Sequence, residues 1–328
     1  YVINYTSTFM FKNYFKIAWR NLWKNKGYSS ITVLGLAAGM AVAMLIGLWI
    51  WDEITYDHYH KNHDQLAQVM TTVVRNGGEL NTVPAVASPL GNELRTKYGS
   101  DFKNVCMASW NQPHVLSSDD KKISAQGMWV EANFPSMLTL KMLKGNSNGL
   151  KDPSSVLLSA SVAKSFFGDA DPINKVIRID NQDNYKVSGV YEDLPHNTTL
   201  NGAKIFLSWD KYVSMIDWVK ASMQHWDDHS FQCYVQLNDN VDFNKETAKI
   251  KMASMAHLNE ASDGKEELVL QPMNNWRLHS EFKNGKVTGG RIEFVNLFAI
   301  VGIFVLLLAC INFMNLSTAR SEKRSKEV

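Results

Sequence analysis

The chain has 328 residues, 45% of them hydrophobic and 20% charged, with a formal net charge of +2 and a mean hydropathy of -0.21. That average is a soluble protein's, with length enough for one large or two ordinary domains. The small positive excess suits a membrane surface or a protein partner better than nucleic acid. No stretch matches the phosphate-cradling pattern G-x-x-x-x-G-K-[ST], so the chain itself is expected to bind no ATP.

The average hides two uncharged apolar runs, and the elements follow from them in chain order. The first methionine is Met10; residues 1–9 are read as upstream, non-native sequence and the native end as lying beyond Val328. Over residues 10–27 Lys12, Lys16, Arg20 and Lys24 recur every fourth position, while Phe11, Tyr14, Phe15, Ala18, Trp19 and Leu22 share another face. The spacing predicts an amphipathic helix lying in the membrane interface, with Lys12, Lys16, Trp19, Arg20, Trp23 and Lys24 as its anchor and Gly27 as its break. Residues 28–51 follow as a transmembrane helix, long enough to cross about 30 Å of hydrocarbon. Its tail, "GLWIWDE", is too bulky for signal-peptide cleavage. Gly35 and Gly39, four apart, mark one face for close packing against another span.

Lys and Arg dominate before this span, and Asp52, Glu53 and Asp57 follow it. A second uncharged run fills residues 294–319, with Arg320, Lys323, Arg324 and Lys326 behind it. The bias of basic residues toward the cytoplasm therefore places both ends inside and residues 52–293 outside.

The outer region alternates strand-like and helix-like stretches, an α+β pattern. "QLAQVMTTVV", "NVCMASW", "KISAQGMWV", "SVLLS", "NKVIRID", "NYKVSGVYEDLP", "AKIFLSW", "SFQCYVQLN" and "EELVLQPM" read as strands. "PAVASPLGNELRTKYG" reads as a helix opened by Pro84, "ASVAKSFFG" as one stopped by Gly168, and "DFNKETAKIKMASMAHL" as one capped by Asp242. A subdomain boundary is placed either at residues 143–153 or at residues 194–202. Cys106 and Cys233 lie where oxidation is available, and spacing alone leaves both a disulfide and two buried thiols open. Asp57, His58, His60 and His63, and again His225, Asp227, Asp228 and His229, have metal-ligand chemistry but no ligand frame. Neither cluster supplies a nucleophile, a base and an orienting group, so no catalytic, cofactor or metal residues are assigned. Asn197-Thr198-Thr199 matches a glycosylation acceptor and is given no weight.

Five stretches together resemble a family: "NYFKIAWRNLWKNKGYSSITVLGLAAGMA", "WDEITYDHYHKNHDQL", "DPSSVLLSASVAKSFFGDADPINKVIRID", "YKVSGVYEDLPHNTTLN" and "CINFMNLSTARSEKRSKEV". They are similar to permease subunits of ABC transporters of the MacB and FtsX-like type, as found in Bacteroidetes. The resemblance implies a MacB-like periplasmic core domain of αβ subdomains over residues 52–293. It implies a cytoplasmic coupling segment beginning at residues 320–328, with Arg320, Glu322, Lys323, Arg324, Lys326 and Glu327 as its first part. It also implies an inner-membrane location, a separate cytoplasmic ATPase that uses the ATP, a second permease copy, and room for a periplasmic or outer-membrane partner. Relatives carry Gly where Asn174 stands and Ser-His at Thr198-Thr199, so these loops are expected to differ in shape. Two spans around an outer domain is also receptor topology, which stands as the alternative; an anchored enzyme would need the catalytic set that is missing.

Overall fold

A computed structural model of the chain describes residues 26–74, 80–118, 121–259 and 264–325, with Lys16, Trp19, Arg20, Trp23 and Lys24. These residues divide into two compact units, one of residues 53–292 and one of the segments before and after it.

The first apolar run forms helix α1, Lys26–Ile54. Gly27 lies within it and does not break it; a lone helical glycine costs about 1 kcal/mol, too little to interrupt so long a helix. The second run forms the last helix, α9, Ile292–Ser325. Both contain segments long and apolar enough to span a membrane, Ser29–Ile54 and Ile292–Asn315. Leu34, Leu45, Leu48 and Leu308 are each roughly two-thirds exposed, an apolar surface that water would not tolerate and hydrocarbon would. The two helices pack antiparallel, since Trp49 meets Phe298 with ring centroids 5.0 Å apart and Gly39 meets Ala309. A Cβ on Gly39 would fall 2.4 Å from that of Ala309, and one on Gly35 3.0 Å from Asn312 Nδ2. The absent side chains are what let the helices approach.

The outer unit is built on one twelve-stranded sheet. Its strands are β1 Leu66–Val74, β2 Leu80–Val83, β3 Phe102–Ala108, β4 Gln112–Ser118, β5 Lys121–Val130, β6 Met142–Gly145, β7 Ser155–Ser159, β8 Val176–Ile179, β9 Asp183–Tyr191, β10 Ile205–Ser208, β11 Gln232–Leu237 and β12 Glu266–Pro272. The order is β10-β7-β9-β8-β4-β5-β3-β11-β1-β12, with β2 beside β1 and β6 beside β9. β10 pairs antiparallel with β7 and parallel with β5. The strands β5, β4, β8, β9, β7 and β10 thus close into a ring.

Two hydrophobic clusters lie on opposite faces of the strands. Val156 and Leu158 of β7 and Ile205 and Leu207 of β10 belong to one; Leu157 and Phe206 belong to the other. This is the period-two alternation of a strand buried on both sides, and it is why "SVLLS" and "IFLS" carry apolar residues without interruption. The same alternation decides the cysteines. Cys106 stands opposite Tyr234, and Cys233 opposite Met107, so the two thiols point into different clusters. Both are free and buried.

Ring closure depends on a glycine. Gly127 of β5 stands opposite Ile205 of β10, and a Cβ there would fall 2.3 Å from Ile205 Cγ1 and 3.0 Å from His114 Cδ2. Ile205 is fully buried and has nowhere to swing. Gly127→Val is therefore expected to lower stability by about 1–3 kcal/mol, read as a fall in the urea midpoint of unfolding.

The helices of this unit are α2 Leu90–Lys97, α3 Phe134–Met137, α4 Ala160–Phe167, α5 Trp209–Met215, α6 Asp217–Ser222, α7 Phe243–Ile250 and α8 Met273–Trp276, and a hairpin of β13 Glu281–Lys283 and β14 Lys286–Gly289 precedes α9. Ser159 caps α4 by accepting from Val162 N, and Gly168 ends it at φ 58°. Asp242 caps α7 through Asn244 N and Lys245 N. Pro84 opens no helix; α2 starts six residues later, behind Pro89. Nor does a boundary divide the unit: residues 143–153 and 194–202 each join strands of the same sheet. Asn174 sits at φ 65°, the left-handed region where glycine is otherwise preferred, so this loop keeps the turn that a glycine would make.

Candidate functional site

The stretch that leaves the first membrane helix, "WDEITYDHYHKNH", is where the outer unit begins, and it is tied down at two places. The first is Glu53, in the last turn of α1. Its carboxylate accepts from Arg277 Nε at 2.9 Å and Nη2 at 3.0 Å, and from Arg291 Nε at 3.0 Å and Nη2 at 2.6 Å. Both guanidiniums present their planar fork to it, the strongest geometry available to a carboxylate. Burial alone would raise the Glu53 pKa, but the two guanidiniums reverse that and hold it at about 2. The Arg277 guanidinium also sits 4.4 Å above the Tyr56 ring. Arg291 immediately precedes α9. One carboxylate therefore joins the residue where the chain enters this unit to the residue just before it leaves.

The second tie is Asp57, fully buried and at φ 66°. Its Oδ1 accepts from Thr198 Oγ1 at 2.6 Å and Thr199 N at 2.7 Å, and its Oδ2 accepts from Thr199 Oγ1 at 2.7 Å. Its own N–H donates to Asn197 O at 2.8 Å. Next to it, buried His60 has Nδ1 2.6 Å from Leu138 O; a carbonyl only accepts, so Nδ1 carries the proton. His60 Nε2 faces Thr198 Oγ1 at 3.2 Å. Burial pushes the His60 pKa down, against the opposing pull of the Leu138 carbonyl and Asp57. Lys61 N donates to Thr139 Oγ1, and Asn62 Nδ2 to Met137 O. The segment is thus sewn to the end of α3 and to the loop between β9 and β10.

This arrangement accounts for the histidines. His60 is sealed inside, whereas His58 stacks on His63 with centroids 4.2 Å apart and His63 pairs with Asn274 Oδ1 at 2.7 Å. In the other cluster His229 Nε2 lies 2.6 Å from Glu266 Oε2, which raises its pKa against the cost of burial, while His225 is exposed. Among the described residues no group of three His, Cys, Asp or Glu side chains is placed to hold a metal ion. Thr198 and Thr199 of the acceptor-like motif are committed to Asp57 instead.

The remaining residues singled out in the sequence fall elsewhere. Lys16, Trp19, Arg20, Trp23 and Lys24 are helical and exposed; Lys12 lies outside the described residues. Arg320, Glu322, Lys323 and Arg324 lie on the final turns of α9; their side chains, with Lys326 and Glu327, are outside the described part. Glu53 enters the sequence reading only as a flanking charge, and Arg277 and Arg291 do not enter it at all. They lie 224 and 238 residues from Glu53, a distance over which no periodicity carries information.

The sequence profile of the MacB-like periplasmic core domain matches residues 29–253, more than half the chain. Among solved structures the chain is similar to a domain of a protein named as a permease from Porphyromonas gingivalis, at 18% identity and a TM-score of 0.53, over 72% of this chain and 98% of that one. It is also similar to the periplasmic region of MacB from Actinobacillus actinomycetemcomitans, at 15% identity and a TM-score of 0.44, over 63% and 90% of the two chains. A third likeness is to the extracellular domain of the noncanonic ABC-type transporter YknZ from Gram-positive bacteria, at 12% identity and a TM-score of 0.43, over 62% and 99%. No curated protein matches. With the profile running from the first apolar helix through most of the outer sheet, the chain belongs to the MacB-like periplasmic core domain family, as a membrane protein of the ABC-transporter permease type whose large domain is extracytoplasmic.

Proposed function

We propose that this chain is the permease subunit of an ABC transporter, and that it couples ATP hydrolysis by a separate cytoplasmic ATPase to movement of its periplasmic domain, for export or another envelope process. The observation that carries this reading is the family match across the first apolar helix and the outer domain. The double tie at Glu53 and Asp57 supports it, because it holds the first residues of the outer unit firmly to the rest of that unit. The antiparallel pairing of α1 with α9 supports a topology in which both ends of the chain face the cytoplasm, as the basic flanks require. A second permease copy completes the transporter, and a periplasmic or outer-membrane partner would receive the movement. In this reading the chemistry of ATP hydrolysis belongs to the separate ATPase, and no catalytic or cofactor role is assigned to this chain.

One thermodynamic condition applies. ATP can shift the outer domain only if the ATPase binds two conformations of the permease with different free energies. The basic segment Arg320, Glu322, Lys323, Arg324, Lys326 and Glu327 is the proposed start of that contact. Replacing Lys323, Arg324 and Lys326 together by Glu in the membrane-embedded protein is expected to weaken ATPase co-purification by an order of magnitude or more, since like charges would then face a surface chosen for cations. Unchanged co-purification would remove these residues from the docking role.

A further inference from the structure

A cavity of 470 Å³ lies against the first turns of α1, lined by Trp19, Trp23, Lys26, Ser29, Ser30, Val33 and Leu34. Its lining is ordered along the helix. Lys26 comes first, the Ser29 and Ser30 hydroxyls about one turn later, and Val33 and Leu34 a turn beyond, the whole covering roughly 12 Å at 1.5 Å per residue. Cation, hydroxyl and hydrocarbon in that order match a phospholipid read from its phosphate through the glycerol esters into the acyl chain.

Two further observations point to a ligand. Ser29 is 8% exposed, and among the described residues its Oγ has no hydrogen-bond partner, although a buried hydroxyl is ordinarily satisfied. The charge of the sequence leading to the cavity is one-sided: Lys16, Arg20, Lys24 and Lys26 precede the span, and no acidic residue occurs before Asp52. The Lys26 ammonium, in the cavity lining, sits 4.4 Å over the Trp23 ring, a cation–π contact that steadies it. Trp19 and Trp23 are rings of the kind that settle at headgroup depth.

We propose that this cavity is a binding site for one anionic phospholipid, with Lys26 on the phosphate, Ser29 on a glycerol ester oxygen and Val33 and Leu34 against the start of an acyl chain. The site rests on the reading of α1 as a membrane span and is independent of the transporter reading. It differs from general surface attraction in having a stoichiometry and an address.

The test uses the full chain purified from membranes in mild detergent, with retained phosphatidylglycerol and phosphatidylcholine counted by native mass spectrometry. Wild type is expected to retain one phosphatidylglycerol in preference to phosphatidylcholine. Lys26→Gln should reduce that retention about fivefold, and Ser29→Ala about two- to fivefold. Lys24→Gln, which removes the same charge from a residue outside the lining, should have a clearly smaller effect. Equal falls for Lys24→Gln and Lys26→Gln, or no fall for Lys26→Gln and Ser29→Ala, would overturn the site. So would displacement of the lipid by inorganic phosphate, which would reveal a simple anion site, or retention of no lipid by wild type, which would leave the groove to a protein segment. Flotation with phosphatidylglycerol vesicles separates the two levels: a chain that does not float overturns the span and the site together, and one that floats without selective retention overturns the site alone.

Discussion

Glu53→Ala is expected to destabilise the outer domain by about 2–4 kcal/mol, because it leaves two guanidiniums facing each other without the carboxylate that both grip. The guanidiniums are partly exposed, at 31% and 44%, so water recovers some of the loss and the upper end of the range for a buried pair is not reached. The pH dependence has a definite sign. The Glu53 pKa is held at about 2, below its ordinary 4.5, so the folded chain binds this proton less readily than the unfolded one. The stabilisation is full above about pH 4.5 and drains away as the pH falls toward 2, amounting to about 3 kcal/mol over that window. Glu53→Gln should therefore flatten the acid limb of a denaturation series while changing m little. A variant with the parent's acid limb would show that the clamp contributes nothing. Under the proposed function, the same variant should still recruit the ATPase while failing to move the outer domain.

The second large effect is expected at Asp57. Its carboxylate holds three hydrogen bonds in a fully buried setting, and its backbone occupies the left-handed region. Asp57→Ala removes the acceptor, strands the Thr199 N–H and forces an alanine into a conformation that costs roughly 1–2 kcal/mol. A total loss of about 3–5 kcal/mol follows. Asn tolerates the same backbone and keeps one oxygen, so Asp57→Asn should cost about half as much. Chemical denaturation of the two variants side by side separates the parts: the gap between them reports the backbone strain and the oxygen that Asn retains, and the gap between Asn and the parent reports the second oxygen. An alanine variant within about 0.5 kcal/mol of the parent would show that this tie carries no load.

Much of the architecture is legible in the chain. Uncharged length marks the two membrane helices, and short uninterrupted apolar runs mark β7 and β10. Gly168 and Asp242 announce helix ends through the capping chemistry that the structure displays. Where sequence reading fails, the cause is tertiary. The stretch from Pro84 reads as a helix opened by that proline, yet Val86 bridges to Phe231 as an isolated strand contact and the helix waits for Leu90. "QPHVLSS" opens with Gln-Pro and ends in serines, so β4 is invisible until β5 and β8 pair with it. "DFNKETAKIKMASMAHL" ends its regular α-helix at Ile250, before its apolar pattern ends.

The site was less legible than the fold. Asp57 and His60 drew notice as metal-ligand types, and Thr198 and Thr199 as departures from the family pattern. That these residues serve one another cannot be read from a separation of about 140 positions. The Glu53 clamp has the same character: it consists of side chains that mean little alone and become a joint only when the sheet has folded.

The closed ring of strands has a mechanical consequence. The Asp57 tie reaches the sheet at the loop between β9 and β10, and both strands belong to that ring. A pull delivered there does not meet a free edge from which hydrogen bonds could open one after another. It meets a hoop, in which β10 is held on both sides, so several bonds must be sheared together before any strand departs. A domain built in this way passes a displacement at that loop across the whole ring instead of absorbing it at one strand.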